Sequence, residues 1–297
     1  MKSKIEFNRW QHIQRHTWPF QLYKQYNEEL SNIIWAEYAS HKYVYKHLGK
    51  EVIDASEDSK KYFSFPPHVW NLITIKDWSK AFNEGQNFLY LNCVMALNSN
   101  FETFLSAIIS LAIESNPGVL LNASKTIDGT ILLKRQLLNK QIYEEKLNAC
   151  LKGTWSKRKS EIKSLFGSYP EELDRYETTL EAIRKLRNRI GHAFGRDIEK
   201  TRDFSSLQKL PLERVSLQRL KKWLNVTFEV ASALDSFLLD DSIGEYQAIL
   251  AYHNNKQKWA NKVFGERARE LKTMYGAIDQ QVGVIFCKGL IEYYDKV

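Results

Sequence analysis

SYPEELDRYETTLEAIRKLRNRIGH, residues 168–192, carries the start, stripe and stop signals of one long helix. Ser168 suits an N-cap and Pro170 the first turn, Glu171 and Glu172 favour the positive end of the helix dipole, and Gly191 is placed to stop the run. Leu173, Tyr176, Leu180, Ile183, Leu186 and Ile190 fall three or four residues apart and define one apolar face. A helix with such a stripe needs a core to bury it.

The flanking sequence supplies partners. Upstream, the strongest apolar helix spans about 86–114 and is closed by SNPG, with Pro117 and Gly118. A second amphipathic helix follows the Asp128-Gly129 turn, then a basic stretch. Downstream, AFGRDIEKTRDFSSLQKLPLE reads as a loop, and a fourth helix runs from about 213 to 239 with Val215, Leu217, Leu220, Trp223, Leu224, Val226, Phe228, Val230 and Leu234 as core candidates. Four such helices suffice for a bundle.

Outside that stretch, 20–48 is an aromatic-rich helical pattern ending near Gly49, DASEDSKK a polar linker, and FSFPPHVW extended because of its prolines. The C-terminal part predicts two or three more helices, with a short strand open in QVGVIFCKGLIEYY. Period-two alternation is nearly absent, so the expected class is all-α, organised as 1–82, 83–240 and 241–297.

Net charge is +8 with a pI near 9.1, a balance that attracts polyanions. Cys93, Cys150 and Cys287 are far apart and odd in number, which argues against a disulfide framework and a structural zinc site and fits a reducing cytoplasm. No apolar leader opens the chain, and asparagines and Glu102 interrupt its most apolar stretch, so no signal peptide and no membrane span are expected. P-loop, dinucleotide-fold and serine-hydrolase signatures are missing from the sequence.

Chemistry concentrates at Arg187, Asn188 and His192. Arginine forks onto phosphate oxygens, asparagine both donates and accepts, and histidine titrates near neutrality. RNA brings its own nucleophile, the 2′-hydroxyl, so acid–base help and charge stabilisation are enough for transesterification. Residues five apart on a helix point about 140° apart, so Arg187 and His192 share a face only where the helix ends between them, and Gly191 is the residue able to end it. The bland alternative is cations gathered at a helix C-terminus, each worth about 0.3–1 kcal/mol.

LDRYETTLEAIRKLRNRIGH, with Arg187 followed by Asn188 and four residues between Arg187 and His192, resembles the signature helix of the HEPN superfamily, and LNCVMALNSNFETFLSAI resembles the first core helix of such bundles. The resemblance covers about 86–240. It implies a HEPN-like helical bundle with added N- and C-terminal helical segments, acting as a metal-independent endoribonuclease without cofactor. It further implies a homodimer that joins two motifs, and a prokaryotic role in phage defence, abortive infection or a toxin–antitoxin pair with a regulatory protein. Carried over, Arg187 neutralises the scissile phosphate, His192 is acid or base, and Asn188 holds one of them. The alternatives are a silent HEPN-like module that binds a protein partner or nucleotide, and a basic RNA-binding adaptor.

Arg184, Arg189 and Arg196 around the motif, with Lys157, Arg158 and Lys159 beside Trp155, are the candidate RNA contacts. Arg9 and His16 repeat the Arg/His pattern with six residues between them, but no long amphipathic helix precedes them. His12 and His16 have a metal-ligand spacing without an accompanying glutamate or third ligand, and read as solvated or partner-facing.

Overall fold

The computed structural model describes residues 7–67, 72–137, 140–197, 199–200, 210–277 and 282–297. Among them are eleven α-helices and no strand, apart from an isolated bridge between Asp58 and Thr74. The helices are α1 (Trp18–Glu51), α2 (Ile75–Ser115), α3 (Gly129–Arg135), α4 (Lys140–Leu151), α5 (Trp155–Phe166), α6 (Glu172–Arg175), α7 (Glu177–Ala193), α8 (Leu217–Leu238), α9 (Tyr246–Asn255), α10 (Phe264–Ala277) and α11 (Val284–Lys296). The all-α class expected from the periodicity is the class observed.

The chain divides into two compact units. The first is Met1–Tyr23, Phe101–Thr178 and Phe228–Val297, and the second is Lys24–Asn100 and Thr179–Thr227. Residues 83–240 therefore contribute to both.

In the first unit, Asp128 caps α3 by accepting from the Thr130 amide at 2.8 Å. Gly129 stands where a Cβ would lie 1.7 Å from the Glu114 carbonyl oxygen, so only glycine fits this turn against the end of α2. Pro117 starts the short 3-10 turn Pro117–Leu121 after α2, as a residue that cannot continue a helix does. Thr154 caps α5 and Gly167, at φ +81°, ends it.

The segment open to a strand reading is α11. Phe286, Cys287, Leu290, Ile291 and Tyr294 are buried at helical, not alternating, spacing and pack with Ala268, Leu271 and Tyr275 of α10. The run 168–192, read as one helix, is broken at Tyr176, and Ser168 caps neither half. Lys159 of α5 holds both sides of the break, donating to Asp174 at 2.5 Å and Glu177 at 2.6 Å.

In the second unit, Leu180, Ile183, Leu186 and Ile190 are buried as the stripe of α7 predicts. Ile183, Leu186 and Ile190 meet Leu30 and Ile34 of α1, Leu91, Val94 and Leu97 of α2, and Leu220 and Trp223 of α8. Each such side chain contributes about 1.5–3 kcal/mol on burial, enough to fix which side of α7 faces outward.

By length and composition α2 is the one described helix apolar enough to cross a membrane, and 56% of its most apolar window is buried within the fold.

Candidate functional site

The apolar stripe of α7 is what presents the motif. With the stripe buried, Arg187 borders it and is half-buried, Asn188 lies further round, and His192 stands exposed on the solvent side. Arg187 Nη1 donates to Asn188 Oδ1 at 3.2 Å. Asn188 and His192, four apart, are about 40° apart on the helix, so the asparagine links the arginine to the face that carries the histidine.

Gly191 does not end the helix. It lacks positive φ, and α7 continues through His192 to Ala193. The left-handed residues come later, at Phe194 (φ +51°) and Gly195 (φ +75°), where the Phe194 amide donates to Ile190 and the Gly195 amide to Arg189. Gly195 is the better stop because Ile190, the last residue of the stripe, must complete its turn before the chain leaves. Arg187 and His192 thus stay about 140° apart on one chain.

The neighbouring cations are largely held by the protein's own groups. Arg184 forks onto Glu181 at 2.6 and 3.0 Å. Arg189 bonds Glu213, which also takes Arg219 at 3.5 Å. Arg196 Nε donates to the Leu210 carbonyl at 3.1 Å.

In the other unit, Arg158 is only 4% exposed, pairs with Glu102 at 3.3 Å and lies over the Trp155 ring. Burial disfavours the Lys159 ammonium, but the Asp174 and Glu177 carboxylates outweigh it and raise its pKa. Lys157 is exposed. Of the three candidate RNA contacts in this stretch only Lys157 is in solvent, whereas Arg158 and Lys159 brace the fold.

The N-terminal histidines, read as solvated or partner-facing, are partly exposed and each is held by a carboxylate of the fold. His12 meets Asp240 at 2.5 Å and His16 meets Asp235 at 3.0 Å, two different carboxylates. Among the described residues no group of three or more His, Cys, Asp or Glu is placed to hold a metal ion. The three cysteines are free and buried, and burial pushes the Cys150 thiol up to about 12.

Sequence reasoning missed the polar cluster beneath the N-terminal segment. Arg9 is 3% exposed and donates to Ile243 O (2.8 Å), Ser115 O (3.0 Å), Ser115 Oγ (2.7 Å) and Asp128 (3.2 Å). Glu245, fully buried, accepts from the Ile13 amide at 2.7 Å and from Gln14 at 3.3 Å. Burial raises the Glu245 carboxyl to about 7, against the pull of His12 and Arg9. Compared with protein-family models, curated proteins and solved structures, the chain matches none.

Proposed function

We propose that the chain is a metal-independent endoribonuclease of HEPN type, working in the cytoplasm of a prokaryote in phage defence or a toxin–antitoxin system. The observation that carries the reading is the Arg187–Asn188 bond beside an exposed His192, on the outer side of a helix whose inner side is locked in a core.

In this chemistry the 2′-oxygen attacks the phosphorus while its proton passes to a base. The 5′-oxygen leaves as it receives a proton from an acid, giving a 2′,3′-cyclic phosphate and a 5′-hydroxyl. Arg187 neutralises the charge that grows on the phosphoryl oxygens, with Asn188 fixing its guanidinium. One imidazole cannot be acid and base in the same step, and Arg187 and His192 of one chain point about 140° apart. Both points favour a site completed by the motif of a second copy across a twofold axis.

The adaptor alternative leans on Lys157, Arg158 and Lys159, of which two are spent inside the fold. The silent-module alternative is tested directly by activity.

The experiment is incubation of wild type, Arg187→Ala and His192→Ala with total RNA in EDTA, followed by end-group analysis. Wild type yields cyclic-phosphate ends, and each variant loses about 10²–10⁴ in rate. Cleavage that persists in His192→Ala sinks the proposal, as does intact RNA with purified wild type.

A further inference from the structure

The second unit carries a groove of about 610 Å³, between α1, α2 and the segment that enters α8. That size lies within the range of about 300–1,000 Å³ usual for ligand sites. Asn87 of α2 holds the third wall in place, donating to the Glu213 carbonyl at 2.9 Å and accepting from the Val215 amide at 3.0 Å. A smaller hollow of about 230 Å³ shares Lys80, Asn87 and Arg214 with the groove and extends it to Arg196.

The walls are cationic. Lys42, Lys80 and Arg214 are exposed along them, with Arg196 at the far end and Glu84 the carboxylate that lines the smaller hollow. Two joined hollows with cations spaced along both suit a chain of phosphates better than one anion.

A second observation is independent of charge. His41 lines the groove, is 7% exposed and stacks on Phe82 at 4.4 Å, yet its Nε2 is buried with no hydrogen-bond partner among the described residues. Buried polar atoms are nearly always satisfied, so Nε2, shut off from solvent behind the groove wall, finds a partner when the ring turns to meet a ligand atom. Burial holds the imidazole below its ordinary pKa, against the pull of Glu37 and with the help of Lys42. The edge of a nucleobase offers both donors and acceptors to such an atom.

We infer that this groove holds a single-stranded segment of RNA, with phosphates on Lys42, Lys80, Arg214 and Arg196 and one base edge on His41 Nε2. The choice of RNA as the polyanion rests on the ribonuclease reading; the groove itself does not.

The test measures binding of the full-length protein to a short single strand carrying 2′-O-methyl groups, which cannot undergo transesterification. Lys80→Ala/Arg214→Ala changes two exposed side chains, and should weaken binding roughly tenfold at moderate salt and flatten the slope of log affinity against log salt by about 1.4. His41→Ala should keep the slope and lose the preference between bases. Equal affinity and slope in wild type and double variant, or no binding by wild type, overturns the inference. So does displacement of the strand by a free mononucleotide at a concentration like that of unlabelled strand, which makes the occupant a free nucleoside phosphate. Wild type that cleaves no RNA but loses binding in the double variant keeps the groove and removes the ribonuclease. Cleavage with binding unmoved in the double variant does the reverse.

Discussion

Two arginine–histidine pairs in this chain look alike in sequence and differ in fate. Arg9 and His16 are drawn into the fold: the guanidinium gives four bonds to Asp128, Ser115 and Ile243 and lies 4.3 Å from the Trp10 ring, while the imidazole meets buried Asp235. Arg187 borders the buried stripe of α7 and reaches Asn188, while His192 faces solvent on the outer side. Residue types are shared, with six residues between the first pair and four between the second. What separates a brace from a candidate reaction centre here is burial, since Arg9 is 3% exposed whereas Arg187 is half-buried and His192 exposed.

Arg9→Ala breaks that contrast most forcefully. It strips Asp128 of its buried cation and takes the guanidinium from Ser115 O and Ile243 O, of which Ile243 O keeps the Ser115 hydroxyl at 2.9 Å, a change expected to cost about 3–5 kcal/mol. Arg187→Ala, on a half-buried helical surface, should cost under about 1 kcal/mol. Denaturant unfolding of the two variants reads the difference. An Arg9→Ala protein as stable as wild type would mean the network braces nothing.

The same network predicts a pH dependence. The folded Glu245 carboxyl, raised from 4.5 to about 7 chiefly by burial, binds its proton more tightly than in the unfolded chain. Its contribution is therefore fully present below the unfolded value and is lost as pH rises through about 7, on the order of 3 kcal/mol across the window. Arg9 and His12, which face it, already oppose the shift. Glu57, held down at about 2 by the Asp54 amide, Lys61 and Tyr62, acts with the opposite sign and lower in pH. Glu245→Gln should flatten the fall in stability between pH 4.5 and 7, read from melting curves across that range. An unchanged fall would show that Glu245 is ionised in the fold.

How much of this could be read beforehand follows from the range of each interaction. The stripes of α2, α7 and α8 are local, and their buried residues are those the periodicity picks out. Arg158, read as an RNA contact from its charge, is instead part of one buried stripe with Trp155, Ile162 and Leu165 along α5, a position in the pattern that outweighs its charge. The Arg9 network was not legible, because its partners lie 106 to 234 residues away and no periodicity reports a bond of that span. The break at Tyr176 depends on Lys159 from another helix, again beyond local pattern. Gly191 misled because glycine stops helices only where the backbone turns left-handed, and the packing of Ile190 moves that turn to Phe194 and Gly195.

The smallest effect tests that last point, and with it the geometry of the exposed pair. Gly191 lies inside the last turn of α7 without positive φ, and a Cβ there would meet nothing within 4 Å. Gly191→Ala should therefore stabilise the protein by about 0.5–1 kcal/mol, a rise in Tm of about 1–4 °C. Gly195→Ala should do the opposite, since at φ +75° its Cβ is strained and falls 3.1 Å from Leu91 Cδ1. Opposite signs at two glycines four residues apart locate the end of α7 after His192, and keep Arg187 and His192 on separate faces. Were Gly191→Ala the destabilising change, the helix would end before His192, the pair would meet within one chain, and the need for a second copy at the site would lose its geometric support.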